Sequence, residues 1–366
     1  MGVEPRPLEF VSPTSAEQLR KCGLALAFRR DLRFSPAERP TPGAALGTVA
    51  HAVLELVGTG AVDDVPEDGL RGRLEELWAT EVAKRSVEFE TAESLTAPPP
   101  PEEWPRYFLV RSRVIRRAAD IATRRRVPAR NGPSTDGLKV AVEGELRAGG
   151  GLLRGRPDRV ETSSDGIVVV DLKTGALDDD VKPEHRRQLL FYAALVQRDR
   201  GVWPTRAAIE GVDGRRRSID VDPGEAEAVV DEALALLRRF NEATADGTTD
   251  GLAAPSADSC RFCAFAGACP AFLGAVDPSW DMPGVAFSGL VDSVSSHDGV
   301  GVVTVSGTTG AVQGGTARLL GVPAPLLPSL GSWVSVVRAV TTAGQRDFRS
   351  RWETQLWLWD EPSDHS

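Results

Sequence analysis

The stretch IVVVDLKTG, residues 167–175, runs an apolar segment into an acid and then a lysine, in a chain that hardly uses lysine. Five of the 43 basic residues are lysines, at positions 21, 84, 139, 173 and 182, and the rest are arginines. A compact, strongly hydrated and deprotonatable ammonium cannot be imitated by a planar guanidinium. Lys173 is therefore a candidate for chemistry. If the run is a strand, Asp171 and Lys173 stand at i and i+2 and point to the same face.

Reading outward, LKVAVEGEL (138–146) and LLRGRPDRVE (152–161) precede GIVVVDLKT (166–174), joined by Gly-rich or Ser/Asp/Gly turns. The spacing predicts three consecutive strands in an antiparallel meander. A helix follows across 185–199, then strands near 205–212 and 215–222, then an amphipathic helix from Pro223. No strand pattern appears before residue 138. Helices are predicted over 12–30, carrying Cys22, and over about 43–57, carrying His51. The segment 66–130 is also predicted helical, broken by a loop at APPPPEEWP (97–105). Strands framed and then covered by helices make an α/β domain.

The last 80 or so residues change character to short strands with Gly-rich turns: GVAFSGLVDSV, GVGVVTVSG, GTARLLGV, SWVSVVRAVTT and RWETQLWLWD. Five strands at that spacing suggest a small β-barrel, with the oligonucleotide-binding (OB) type as one candidate. Its tryptophans, Trp333, Trp352, Trp357 and Trp359, could stack on unpaired bases or serve as core and partner-interface residues.

Bulk properties bound the function. At 366 residues the length suggests two or three domains. No stretch approaches the roughly 20 apolar residues of a membrane span, and MGVEPRPLEF lacks a secretion-signal layout, so a cytoplasmic protein with no membrane partner is expected. A net charge of −9 argues against a basic coat for nucleic acid, although only local charge matters for a groove that grips phosphates. Between Trp104 and Arg130 there are nine arginines and one acid, Asp120. Alone, that run reads as a solvated helix face.

Asp158, in RGRPDRVE, and Asp171 can converge on one face of neighbouring antiparallel strands. Converging carboxylates repel unless a divalent cation sits between them, and oxygen-rich sites suit Mg²⁺ or Mn²⁺. A lysine beside such a cation can help orient or deprotonate water and offset charge on a phosphoryl group. That is the chemistry of metal-dependent phosphodiester hydrolysis. Separately, a cytosolic chain whose four cysteines are Cys22, Cys260, Cys263 and Cys269, three of them clustered, points to metal rather than disulfides. Four thiolates suit Zn²⁺ or a 4Fe–4S cluster, and spacing does not separate the two.

GTVAHAVLE (47–55), GRPDRVE (155–161), VVVDLKTG (168–175) and QLLFY (188–192) occur in the order and at about the spacing found in the RecB-like branch of the PD-(D/E)XK nucleases. With the four cysteines, residues 15–272 resemble the iron–sulphur-stapled AddB-type and CRISPR-associated RecB-like exonucleases. The resemblance implies a restriction-endonuclease-like core, a mixed sheet flanked by helices, over residues 1–272 with a helical insertion at about 60–135. The barrel, at 283–361, lies outside it. It further implies that His51, Asp158 and Asp171 ligate Mg²⁺ or Mn²⁺, that Lys173 is catalytic, and that Gln188 and Tyr192 position DNA or the active site. His51 alone, on an apolar helix face, would read as a core histidine. Glu143 or Glu145 stands where the family often has an acid. The four cysteines would hold a 4Fe–4S cluster, with Zn²⁺ the alternative.

In a nuclease the arginine run gains meaning as a positive wall for DNA, with Arg111, Arg113, Arg116, Arg117 and residues 124–126 contributing. The function implied is a metal-dependent DNA nuclease, an exonuclease on single strands or ends, in repair, recombination or defence. The rival readings are a catalytically silent DNA-binding or assembly subunit of a helicase–nuclease complex, and a CRISPR-type accessory that trims DNA. The chain carries no phosphate-binding loop of the G-x-x-x-x-G-K-[ST] kind, so unwinding would need a partner helicase.

Overall fold

Ser12 and Ser15 cap each other's backbone at the start of α1 (Pro13–Arg30), which also opens on proline. In the computed structural model, which describes residues 3–126, 139–141, 144–175, 178–310, 312–344 and 346–359 (backbone only at 35–36 and 139–141), this helix is kinked at Cys22. The backbone there is extended, with φ −167° and ψ 105°. Helices α2 (Pro42–Gly58), α3 (Leu70–Thr91) and α4 (Tyr107–Arg126) follow, as the periodicity predicts, with the proline-rich loop between α3 and α4. They share one apolar cluster that includes Val49, Val53, Leu74, Trp78, Val110 and Val114.

The central sheet has five strands in the order β1–β4–β5–β6–β7, with β1 Lys139–Ala141, β4 Arg159–Ser163, β5 Gly166–Lys173, β6 Arg206–Gly211 and β7 Arg216–Asp220. Only β5 and β6 run parallel. A parallel pair needs a long crossover, here through α5 (Pro183–Arg200). Helices α5 and α6 (Pro223–Ala245) cover the face formed by Val160, Val169, Ala207 and Ile209. This is the expected mixed α/β, restriction-endonuclease-like core.

The three-strand meander is not what forms. Residues 152–161 split into β3 (Leu153–Gly155) and β4, and β3 pairs with β2 (Leu146–Ala148) in a separate two-stranded sheet. Between them stand Arg156, Pro157 and Asp158; proline cannot donate to a ladder, and Asp158 turns its side chain to another use.

The opposite face of the sheet carries charge. Glu210 is 1% exposed and meets three guanidinium groups: Arg117 of α4 at 2.5 Å, Arg216 at 2.5 Å and Arg159 at 2.9 Å. Glu161 shares Arg159 and Arg216, at 2.9 and 2.7 Å. Three arginines of the predicted DNA wall are thus committed to ion pairs: Arg117 here, Arg111 with Glu75 at 2.5 Å and Arg125 with Asp63 at 2.8 Å. Arg126 donates to the carbonyls of Val62 and Val65. Arg116 and Arg124 are exposed. Arg130 lies outside the described residues.

After the short helices α7 (Ala257–Cys260) and α8 (Pro270–Ala275) the chain is β-rich: β8 Val285–His297, β9 Val300–Gly310, β10 Thr316–Pro323, β11 Trp333–Thr341, β12 Asp347–Arg349 and β13 Gln355–Trp359. The order β12–β10–β9–β8–β11–β13, with β12 also pairing β11, closes β8 to β12 into a five-stranded barrel, and β13 pairs along the first part of β11. The closing strand, β12, was not among the five predicted, because three residues carry no periodicity. It pairs parallel to β10 and antiparallel to β11. Trp352 and Trp357 do not offer free base-stacking faces: their rings stack within the chain on Phe89, at 5.6 Å, and on Phe34, at 5.4 Å.

Burial pushes the Glu210 and Glu161 carboxyls up, but the arginines outweigh it and hold both below their ordinary value of 4.5. Their contribution to stability is therefore complete above pH 4.5 and lost as pH falls through the lower folded-state values. Glu210→Ala, which strands three cations, should cost about 3–5 kcal/mol in urea melts at pH 7, with the difference from wild type shrinking on acidification.

Candidate active site

The break after β3 is what builds the site. Freed from the ladder, Asp158 turns its Oδ2 to accept the Leu172 backbone N–H of β5 at 2.6 Å. One residue before and one after Leu172, Asp171 and Lys173 project to the sheet face that α5 covers. Lys173 Nζ lies 2.8 Å from Asp171 Oδ2 and donates to Gln188 Oε1 at 2.9 Å. Gln188 in turn donates through Nε2 to Asp171 Oδ1 at 3.0 Å and toward the Tyr192 hydroxyl at 3.4 Å. The i, i+4 spacing on α5 stacks Gln188 and Tyr192 on one face, as predicted.

Helix α2 brings the remaining group. His51 Nδ1 lies 3.3 Å from Asp158 Oδ1, both side chains half-buried. One turn earlier, a Cβ on Gly47 would stand 3.6 Å from the Thr174 hydroxyl, so the helix docks directly on the end of β5. Gly155 plays a similar part for Tyr192: a Cβ there would lie 2.8 Å from Leu195 Cδ1 and 3.0 Å from Tyr192 Cε1. The glycine of the GRPD segment thus makes room for the tyrosine ring.

The two carboxylates are in different electrostatic states. Burial dominates at Asp171 and, with Asp158's charge added, raises its pKa despite Lys173 and His51. Asp158 is also desolvated, but the hydrogen bond and charge of His51, with the Leu172 N–H, hold its pKa below the ordinary value. The same pairing raises His51 above 6.5. Tyr192 is pushed up to about 12 by burial and the nearby Asp171.

All six residues predicted from the nuclease motifs meet at this one place. Glu145 does not join them; it is exposed and paired with Arg147 at 2.5 Å, while Glu143 lies outside the described residues. One titratable neighbour escaped the sequence reading. His185, three residues before Gln188, is held neutral to lower pH by burial and by Lys173's charge. Its i, i+3 spacing from Gln188 was the available signal.

Among the described residues no three or more His, Cys, Asp or Glu side chains are arranged as a metal cage. At the carboxylates the reason is visible: His51 is turned onto Asp158, and Lys173 and Gln188 onto Asp171. Yet Asp171 Oδ2, deeply buried, makes no hydrogen bond although the ammonium is beside it. A half-compensated buried carboxylate, a second carboxylate and an imidazole form a donor set that fits a hard divalent cation. The four cysteines are all unbridged thiols, and all four line one cavity between the α1 kink and α8. Burial above all pushes the thiols of Cys260, Cys263 and Cys269 up, Cys263 to about 11 and Cys269 to about 12.

No curated protein matches the chain. A family model described as the PD-(D/E)XK nuclease superfamily matches residues 11–270. That match opens just before α1 and ends one residue past Cys269, taking in the whole cluster around β5, and on it the chain belongs to the PD-(D/E)XK nuclease superfamily, whose members are nucleases acting on nucleic acid.

Proposed function

We propose that the chain is a metal-dependent DNA nuclease that hydrolyses phosphodiester bonds in single strands or at DNA ends, serving repair, recombination or defence. The observation that carries this reading is the Asp171–Lys173–Gln188 triangle, closed by three polar contacts of 2.8–3.0 Å beside the His51–Asp158 pair. His51, Asp158 and Asp171 would hold Mg²⁺ or Mn²⁺, which when bound supplies Lewis acidity and lowers the pKa of water. Lys173, fixed between Asp171 and Gln188, places its ammonium where negative charge grows on the phosphoryl oxygens. Gln188 orients both neighbours through one amide, and Tyr192, uncharged across the working pH range, keeps that amide in register. A silent subunit has no physical need for a lysine so oriented. In the second metal reading, Cys22, Cys260, Cys263 and Cys269 hold a 4Fe–4S cluster, or Zn²⁺, that staples α1 to the segment after α6.

The nuclease unit would occupy residues 1–272, with the insertion at about 60–135, and the barrel 283–361. Backbone contacts from α4 narrow to Arg113, Arg116 and Arg124, since Arg111, Arg117 and Arg125 are in ion pairs and Arg126 is bound to the Val62 and Val65 carbonyls. Any unwinding would come from a partner helicase.

Anaerobically purified protein with end-labelled single- and double-stranded DNA and Mn²⁺ tests the reading. Wild type should cut, and Lys173→Ala should slow cleavage at least about a hundredfold; equal rates would sink the mechanism. His51 must also shed its raised-pKa proton to bind a cation. Mn²⁺ affinity, read by calorimetry, should rise up to about tenfold per pH unit below that pKa and flatten above it, and His51→Ala should remove the part of the slope centred on the His51 pKa, leaving only the part set by Asp171.

A further inference from the structure

Arg338, in β11, is 8% exposed and, among the described residues, makes no ion pair with a carboxylate, although the charge of Glu353 partly offsets its burial. Its Nη2 donates to the Cys263 carbonyl at 2.8 Å, while its Nε is buried without a hydrogen bond. Its backbone lies in the left-handed region, φ 64°, where β11 slips register against β8 between Val337 and Ala339. Gly284 gives this bulge its space: a Cβ there would stand 2.8 Å from the Ala339 carbonyl oxygen and 2.9 Å from the Arg338 carbonyl carbon. A non-glycine residue held there costs about 1–3 kcal/mol, and a buried unpaired cation costs several more. The bulge brings a guanidinium to the cysteine loop.

Neighbouring groups grip the same loop. Gln355 donates to the Ala264 carbonyl at 2.6 Å and accepts from Gly267 N–H at 3.0 Å, and Ser335 donates to the Gly267 carbonyl. Strands β11 and β13 thus hold the chain between Cys263 and Cys269 from its barrel side. A cation kept at this cost needs an anion. Neutral thiols are not one, whereas four thiolates around Zn²⁺ or an iron–sulphur core leave a net negative centre.

We propose that Arg338 is the charge partner of an anionic metal–thiolate centre on Cys22, Cys260, Cys263 and Cys269, so that the barrel locks that centre in place. This rests on the four-cysteine reading above. Arg338 is a positioning residue for the centre, and the barrel's bulge exists to deliver it.

The test uses full-length protein, purified anaerobically, as wild type, Arg338→Met and Arg338→Lys. Iron, sulfide and zinc per chain, the rate of metal loss to a chelator, and urea melts of loaded and stripped protein are measured. Arg338→Met should lose metal about tenfold faster or more, with Arg338→Lys in between. The methionine should destabilise the loaded chain yet leave the stripped chain unchanged or more stable, since there it removes an uncompensated cation. Equal destabilisation of both forms, or an unchanged rate of metal loss in both variants, would overturn the proposal and leave the cysteine site standing. A wild-type chain that carries no metal, and takes up none from iron with sulfide or from Zn²⁺, overturns both.

Discussion

The hydrogen bond from the Leu172 backbone N–H to the Asp158 carboxylate, 2.6 Å long, is the constraint on which the site depends. It ties the loop that leaves β3 to the strand that carries Asp171 and Lys173. The ladder of β4 on β5, with Arg159 opposite Val170, brings the two carboxylates near each other, and this hydrogen bond fixes the Asp158 side chain that His51 meets at 3.3 Å. A backbone donor is well suited to this role, because it cannot rotate away and favours the ionised acid.

The two faces of β5 divide the labour. Toward α5 the strand shows Asp171 and Lys173, and toward α4 it shows Val168, Val170 and Leu172 beside the Glu161 and Glu210 arginine network. Removing such ions from water is expensive, and apolar residues could fill the same volume. What the network provides is direction: the Arg117–Glu210 pair ties α4 to β6 on the face of the sheet opposite the site. Arginines that looked from the sequence like a DNA wall serve partly as struts.

The barrel is joined to the rest of the chain by aromatic stacking at Phe34 and Phe89 and by polar contacts onto the cysteine loop. Its tryptophans illustrate a general ambiguity. Aromatic side chains bury large areas, so they mark a contact without saying whether its other half is a base, a partner or the same chain. Here Trp352 and Trp357 contact the same chain.

Much of the site was legible because its chemistry is carried by residue types at short spacing. D-x-K on a strand, Q-x-x-x-Y on a helix and C-x-x-C before C-P each follow from local geometry, and lysine rarity singled out Lys173. Helix extents were legible too, since caps and 3.6-residue periodicity are local. The split of residues 152–161, the strand β12 and the pairing of Arg111 and Arg117 were not, because a ladder, a barrel closure and an ion pair are each decided by a partner far along the chain. By itself the sequence determined which groups could do the chemistry and the elements that carry them. Only the tertiary structure decided which carboxylate is buried, which arginines are already engaged, and that a cation from the barrel comes to rest on the cysteine loop. Burial and long-range pairing are properties of the packed chain, and no window of sequence contains them.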